Sequence, residues 1–101
     1  MLKVNKRYCA RVRQTVAWAD VLAALGVQSR HGKYVMCPVH DELTPSCRLW
    51  PDGRYLCLGC GATGDIVDYV QWLSTWYRHR PLRTVRDLKR LLEPLMQKPS
   101  V

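Results

Sequence analysis

The stretch Cys37-Pro-Val-His40, followed after sixteen residues by Cys57-Leu-Gly-Cys60, determines how this chain folds. Each pair of possible metal ligands encloses two residues, and a turn of that length directs both side chains of a pair at one ion. Cysteine sulfur and imidazole nitrogen are ligands that a tetrahedral zinc ion takes, at about 2.3 Å and about 2.0 Å. The spacing therefore predicts one structural Zn²⁺. Its four ligands would be Cys37, His40, Cys57 and Cys60.

Two other uses of these cysteines are open. Two disulfides would pair the cysteines evenly in an oxidising compartment, yet the chain has five cysteines and no recognisable export signal. A redox-active Cys-x-x-Cys motif would begin a helix after a buried strand. Here Gly59 and Gly61 flank Cys60, which favours a tight metal-binding turn. Of the remaining residues, Cys9 is predicted to be a bystander thiol and His31 an exposed histidine without a ligand partner at metal spacing.

The formal charge of +8 is spread unevenly along the chain. Residues 1–33 carry seven Lys or Arg and one acidic residue. Residues 34–77 carry two Lys or Arg and five acidic residues, and residues 78–101 carry seven Lys or Arg and two acidic residues. Attraction to phosphate would therefore come mainly from the two flanks, although flank charge also serves solubility. No apolar run approaches the roughly 18 residues that span a bilayer, so we expect a cytoplasmic protein with no membrane partner.

Hydrophobic periodicity and turn residues predict an α+β fold, a small zinc ribbon with a three-stranded antiparallel sheet flanked by helices. The predicted domains are a flexible basic arm over 1–14, a zinc-binding domain over 15–77 and a basic C-terminal helix over 78–101. Within them, the predicted elements are a helix over 15–25, strands over 33–36, 46–50 and 54–58, a helix over 65–77 capped by Asp65, and a last helix that starts at a Thr84/Asp87 capping box.

The hairpin around Pro51-Asp52-Gly53 separates two sets of side chains. Alternation places Cys47 on the core face, where it is the second choice as a metal ligand, and Trp50 with two arginines on the other face. A tryptophan beside arginines is typical of surfaces that stack bases and neutralise phosphates of a single strand. Trp50 could instead pack on Arg54 or be covered by a terminal helix. The residues predicted to contact bases are Tyr34, Arg48, Trp50 and Arg54, and those predicted to contact phosphates are Arg11, Arg13, Arg78, Arg80, Arg83 and Arg86.

Two runs of this sequence resemble the CHC2 zinc finger, the zinc-binding domain of DnaG-type bacterial and phage DNA primases. They are Cys37-Pro-Val-His-Asp-Glu-Leu-Thr-Pro-Ser46 and Tyr55-Leu-Cys-Leu-Gly-Cys-Gly-Ala-Thr-Gly-Asp65. The chain departs from the family pattern at Leu43, Cys47, Leu56 and Leu58. The resemblance implies a module that engages single-stranded template and helps to begin a primer, while a separate Toprim-type domain polymerises.

The chain by itself is not expected to be an enzyme, because its acids are scattered and a zinc ion with four protein ligands has no open position for water. The favoured function is a zinc-binding, single-stranded DNA-binding module in primer synthesis, either a stand-alone accessory subunit or a primase domain. One alternative is a zinc module that recruits a polymerase or helicase through the leucine-rich terminal helix. Another is a zinc-dependent transcription regulator that reads duplex DNA, for which no clear recognition helix is found.

Overall fold

Helices pack on one face of an antiparallel sheet in the part of the chain that the computed structural model describes, residues 2–37, 45–76 and 80–96. The observed elements are α1 (Lys6–Thr15), α2 (Trp18–Leu25), β1 (Tyr34–Val35), β2 (Cys47–Leu49), β3 (Arg54–Cys57), β4 (Thr63–Asp65), α3 (Ile66–Trp76), α4 (Val85–Leu92) and a 3₁₀ turn (Glu93–Leu95). The α+β class is as predicted, and no helix among these residues is long and apolar enough to cross a bilayer.

The sheet has four strands in the order β1-β2-β3-β4, all antiparallel, so the prediction of three strands was wrong. The additional strand, β4, pairs Gly64 with Tyr55 and Thr63 with Leu56. Its sequence, Thr63-Gly-Asp65, is poor in the β-branched and aromatic residues that mark a strand, so it was not predicted. Glycine is needed at this point, because a Cβ on Gly64 would lie 2.7 Å from Oδ2 of Asp68.

The prediction of a flexible arm over 1–14 was also wrong, because most of that segment forms α1. Asn5 caps the helix by accepting a hydrogen bond of 2.7 Å from the backbone N–H of Arg7. Val12 is fully buried and Tyr8 is partly buried against the core. Most other residues of α1 are polar, so its apolar stripe was too narrow to be recognised from the sequence.

The core lies between the inner face of the sheet and the helices. From the two helices that the periodicity predicted, it includes Trp18, Val21, Leu22, Leu25, Ile66, Tyr69, Val70 and Leu73. Three aromatic rings meet edge to face at its centre, with centroid distances of 5.2 Å for Trp18–Tyr69, 5.7 Å for Tyr55–Tyr69 and 6.3 Å for Trp18–Tyr55. Tyr77, where the helix over 65–77 was predicted to end, lies outside the described residues.

The β2–β3 hairpin has the alternation predicted for it. Cys47, Leu49, Tyr55 and Cys57 are buried, whereas Arg48, Trp50, Arg54 and Leu56 face outward. Gly53 has a φ of 86°, and a Cβ at this residue would lie 3.0 Å from Cγ of Arg13. The carbonyl oxygen of Gly53 accepts a 2.9 Å hydrogen bond from the N–H of Ile66. The tip of the hairpin is therefore held between α1 and the start of α3.

The last helix, α4, starts at the predicted capping box, in which Thr84 and Asp87 each accept from the other's backbone N–H. Leu88 and Leu92 are fully buried in the core of this same domain. Pro94 lies in the 3₁₀ turn that follows the helix. Leu91 and Leu95 are partly buried against the same core, so much of the leucine stripe packs within the domain.

Candidate metal centre and nucleic-acid interface

Three of the four predicted zinc ligands lie together at one end of the sheet. Cys37 follows β1, Cys57 ends β3 and Cys60 lies in the turn between β3 and β4. Their sulfur atoms all lie within 4.8 Å of one another, and the Sγ atoms of Cys37 and Cys60 are 3.8 Å apart. Two thiolates at about 2.3 Å from one tetrahedral ion would be about 3.8 Å apart, so the cluster fits a thiolate-bound zinc. His40 lies outside the described residues.

The turn after β3 positions Cys57 and favours its thiolate form. The N–H of Cys57 donates to the carbonyl oxygen of Ala62 at 2.7 Å, and the N–H of Gly61 donates to the carbonyl oxygen of Cys57 at 2.9 Å. Burial alone would raise the pKa of Cys57, but hydrogen bonds from the Cys60 backbone and from Ser46, whose hydroxyl lies 3.6 Å from Sγ, lower the pKa overall. A thiolate is the form that binds metal.

The other candidate ligands are not part of this cluster. Cys47 lies opposite Cys57 in the β2–β3 ladder and is fully buried, but its sulfur is not in the group of three among the residues described. Cys9 is half-buried on α1, where burial, with added effects of Asp65 and Asp68, raises the pKa of its thiol. His31 is exposed and is likewise absent from the group. Cys47 is best described as a small core residue.

The outer face of the sheet brings three of the predicted base-contacting residues together. Tyr34 and Arg48 are opposite each other on β1 and β2, and Nη1 of Arg48 donates to the Tyr34 hydroxyl at 3.1 Å. The Arg48 guanidinium carbon lies 5.2 Å from the Tyr34 ring centroid and 5.5 Å from that of Trp50. Trp50 remains 37% exposed. We call this group, Tyr34, Arg48 and Trp50, the arginine–aromatic stack.

Arg54, the fourth residue of the predicted set, shares this face but not the stack. The sequence allowed Trp50 to pack on Arg54, whereas the cation on its ring is Arg48. The side chain of Arg54 is 63% exposed and lies 3.9 Å from Asp52, a contact that surface solvation makes weak. Arg54 is therefore open to a further partner.

The arginines predicted to contact phosphate differ in their exposure and in their partners within the protein. Arg11, Arg80, Arg83 and Arg86 are exposed. Arg13 instead donates to Oδ2 of Asp65 at 3.1 Å, an ion pair between α1 and the end of β4. Arg78 lies outside the described residues.

A cleft that the sequence did not indicate lies beside the arginine–aromatic stack. It has a volume of about 270 Å³ and is lined by Arg30, His31, Tyr34 and Pro45. The sequence feature that could have indicated it is the pair His31-Gly32. Both residues have positive φ values, 57° and 68°, and together they turn the chain ahead of β1. Leu58, 64% exposed within the metal-binding turn, was identified from the sequence only as a departure from the family pattern.

A small antiparallel sheet with a thiol cluster formed by the segments after β1 and around the β3–β4 turn defines a protein of the zinc-ribbon class. The family described as CHC2 zinc finger, the DnaG zinc ribbon, matches residues 4–90. This chain belongs to the CHC2 zinc finger family.

Its relatives include several bacterial DNA primases. The DNA primase of Mycolicibacterium smegmatis is 36% identical over 76 residues, which cover 68% of this chain and 12% of the relative. The DNA primase of Myxococcus xanthus is 47% identical over 58 residues, which cover 55% of this chain and 9% of the relative. The DNA primase of Halalkalibacterium halodurans is 29% identical over 102 aligned positions, which cover 98% of this chain and 17% of the relative. The chain thus spans less than a fifth of the length of these relatives.

Proposed function

We propose that this chain is a zinc-stabilised module that holds single-stranded DNA during primer synthesis. One Zn²⁺ would be bound by Cys37, His40, Cys57 and Cys60, and its role is to fix the turns at the end of the sheet. With four protein ligands the ion has no open coordination position, so its contribution is to folding. The three clustered thiols and the family membership support this part of the proposal.

The arginine–aromatic stack is the observation that carries DNA binding. An arginine that contacts two aromatic rings on an open sheet face offers a cation for a phosphate and ring surfaces for bases. The hydrogen bond to Tyr34 already holds the Arg48 side chain, so less side-chain entropy is lost on binding. Stacking accepts every base, and we therefore expect weak sequence preference.

Polymerisation would be supplied by another domain or chain. The relatives are named DNA primases, and this chain covers only a small part of their length. The module would act in the cytoplasm, in a primosome-like assembly with a primase, polymerase or helicase, either as a domain of a primase or as a stand-alone subunit of the kind that a mobile element could carry. Its DNA contact would present template to the catalytic partner.

A fluorescence-anisotropy titration tests the proposal. Zinc-loaded protein is titrated into a labelled single strand and, separately, into its duplex, each at several salt concentrations. We expect preference for the single strand and a log–log salt slope near −3, since each phosphate contact on a single strand contributes about −0.7. Absence of binding at low salt would refute single-strand binding. Preference for the duplex would favour the regulator hypothesis instead.

A further inference from the structure

The cleft lined by Arg30, His31, Tyr34 and Pro45 is continuous with the arginine–aromatic stack, because Tyr34 belongs to both. Tyr34 contacts the guanidinium of Arg48 and also forms one wall of the cleft. Pro45 supplies an apolar wall, and Arg30 and His31 supply polar groups at the rim. A strand that stacks on Trp50 and passes Arg48 would reach this cleft next.

The loop that carries Arg30 is closed by its own backbone. The N–H of Arg30 donates to the carbonyl oxygen of Tyr34 at 2.7 Å, and the N–H groups of Tyr34 and Lys33 donate to the carbonyl oxygen of Arg30 at 3.1 Å and 3.0 Å. His31 has a φ of 57°, a conformation that a residue with a Cβ adopts at a cost. Residues held in this way concentrate at ligand sites, where the surrounding structure maintains them.

The charge of the cleft fits a phosphate. Arg30 is exposed, and no ion pair of its guanidinium occurs within residues 2–37, 45–76 and 80–96. The cleft has no acidic lining residue among those described. Its volume of about 270 Å³ is near the lower end of small-molecule sites, which suits one nucleotide unit better than a larger ligand.

We infer that this cleft is a nucleotide subsite, in which Arg30 binds a backbone phosphate and the base lies between Tyr34 and Pro45. The inference rests on the proposed single-strand binding and extends it by a position the sequence did not indicate. The binding surface would then run from Trp50 on β2, across Arg48, to the loop ahead of β1.

Charge variants of the loop provide the main test. Binding of a labelled twelve-residue oligothymidylate is measured for Arg30→Gln, for the charge-retaining Arg30→Lys, and for Lys33→Gln. Lys33 is exposed in the same loop but does not line the cleft, so its variant controls for general loss of charge. We expect Arg30→Gln to lose about fivefold or more in affinity and to reduce the salt slope by about 0.7, with partial rescue in Arg30→Lys. Lys33→Gln should keep the wild-type slope.

A second variant, His31→Gly, changes the lining of the cleft and keeps the charge of Arg30. Glycine adopts positive φ without strain, so the melting temperature should be equal or higher while the affinity falls, because a polar group that lines the cleft is removed. If Arg30→Gln and His31→Gly both bind as tightly as Lys33→Gln, the subsite is refuted. In that case, a loss of affinity in Trp50→Ala would still support the proposed single-strand binding. Absence of binding by the wild-type protein would refute both.

Discussion

Trp50 illustrates at the scale of a residue how the outer face of the sheet could work. Indole rings are usually well buried, yet this one is 37% exposed with Arg48 against it. Because a stacked base contributes about 1–3 kcal/mol, Trp50→Ala should weaken single-strand binding by about five- to a hundredfold, measured by anisotropy. Leu58→Ala is the matched control, since Leu58 is also apolar and exposed. Equal affinities of the two variants would contradict the stacking role.

Gly53 has two separate reasons to be glycine. Its φ of 86° is strained for any residue with a Cβ, and that Cβ would contact Arg13 at 3.0–3.2 Å. We expect Gly53→Ala to lower the free energy of unfolding by about 2–3 kcal/mol in a denaturant titration of zinc-saturated protein. Gly26→Ala has positive φ but open space around its Cβ, so it should lose only about 1 kcal/mol. If both variants lose the same amount, contact with α1 is unimportant.

At the scale of an element, α1 should be part of the cooperative fold. Val12 is its one fully buried residue among those described, and Val12→Ala should lower the free energy of unfolding by about 1.5–3 kcal/mol because two buried carbon groups are removed. Gln14→Ala, at an exposed position of the same helix, should change stability by less than about 0.5 kcal/mol. Equal small effects in urea titrations would show that α1 is undocked in solution.

The start of α3 makes a pH-dependent contribution. The N–H of Asp65 donates to Asp68 and the N–H of Asp68 donates to Asp65, both at 3.1 Å. Burial raises the pKa of Asp68; the bond from Asp65 lowers it in part, and the Asp65 charge raises it again. A folded-state pKa above the unfolded value gives stability that is present below the unfolded pKa, about 3.9, and is lost as pH rises through the folded pKa.

Asp68→Asn should therefore gain in stability relative to wild type as pH rises from about 4, and the difference should then become constant. Paired thermal melts of the two proteins across this range provide the measurement. Asp87→Asn, at the corresponding capping-box position of α4, controls for the loss of the cap itself. A difference in melting temperature between Asp68→Asn and wild type that stays constant with pH would contradict a raised pKa of Asp68.

At the scale of the whole molecule, the metal should determine whether the sheet forms. Structural zinc contributes an apparent 10–16 kcal/mol in small zinc-binding peptides, comparable to the whole stability of a domain. We expect one zinc per chain by elemental analysis and loss of the cooperative melt after chelation. Cys60→Ser should lose the metal, whereas Cys9→Ser should retain it, because Cys9 lies outside the thiol cluster. An unchanged melting temperature after chelation would contradict a structural role.

Features that depend on local spacing could be predicted from the sequence. Two residues between the ligands of each pair placed Cys57 and Cys60 in one cluster with Cys37. A period of two placed Trp50 on the outer face, and the interval from Thr84 to Asp87 predicted a capping box that is present. In each case the interacting groups are close in the chain or repeat regularly, so a one-dimensional pattern contains the information.

The contacts between residues that are distant in the chain could not be predicted from the sequence. Arg13, which was predicted to contact phosphate, forms an ion pair with Asp65, 52 residues away in the chain. The cation over the Trp50 ring is that of Arg48, and Leu88 and Leu92 are buried in the domain's own core. Strand β4 forms because β3 provides its hydrogen-bonding edge, not because its sequence favours a strand. The physical reason is that burial and pairing energies arise between segments, and no periodicity within a segment specifies which other segment will supply them.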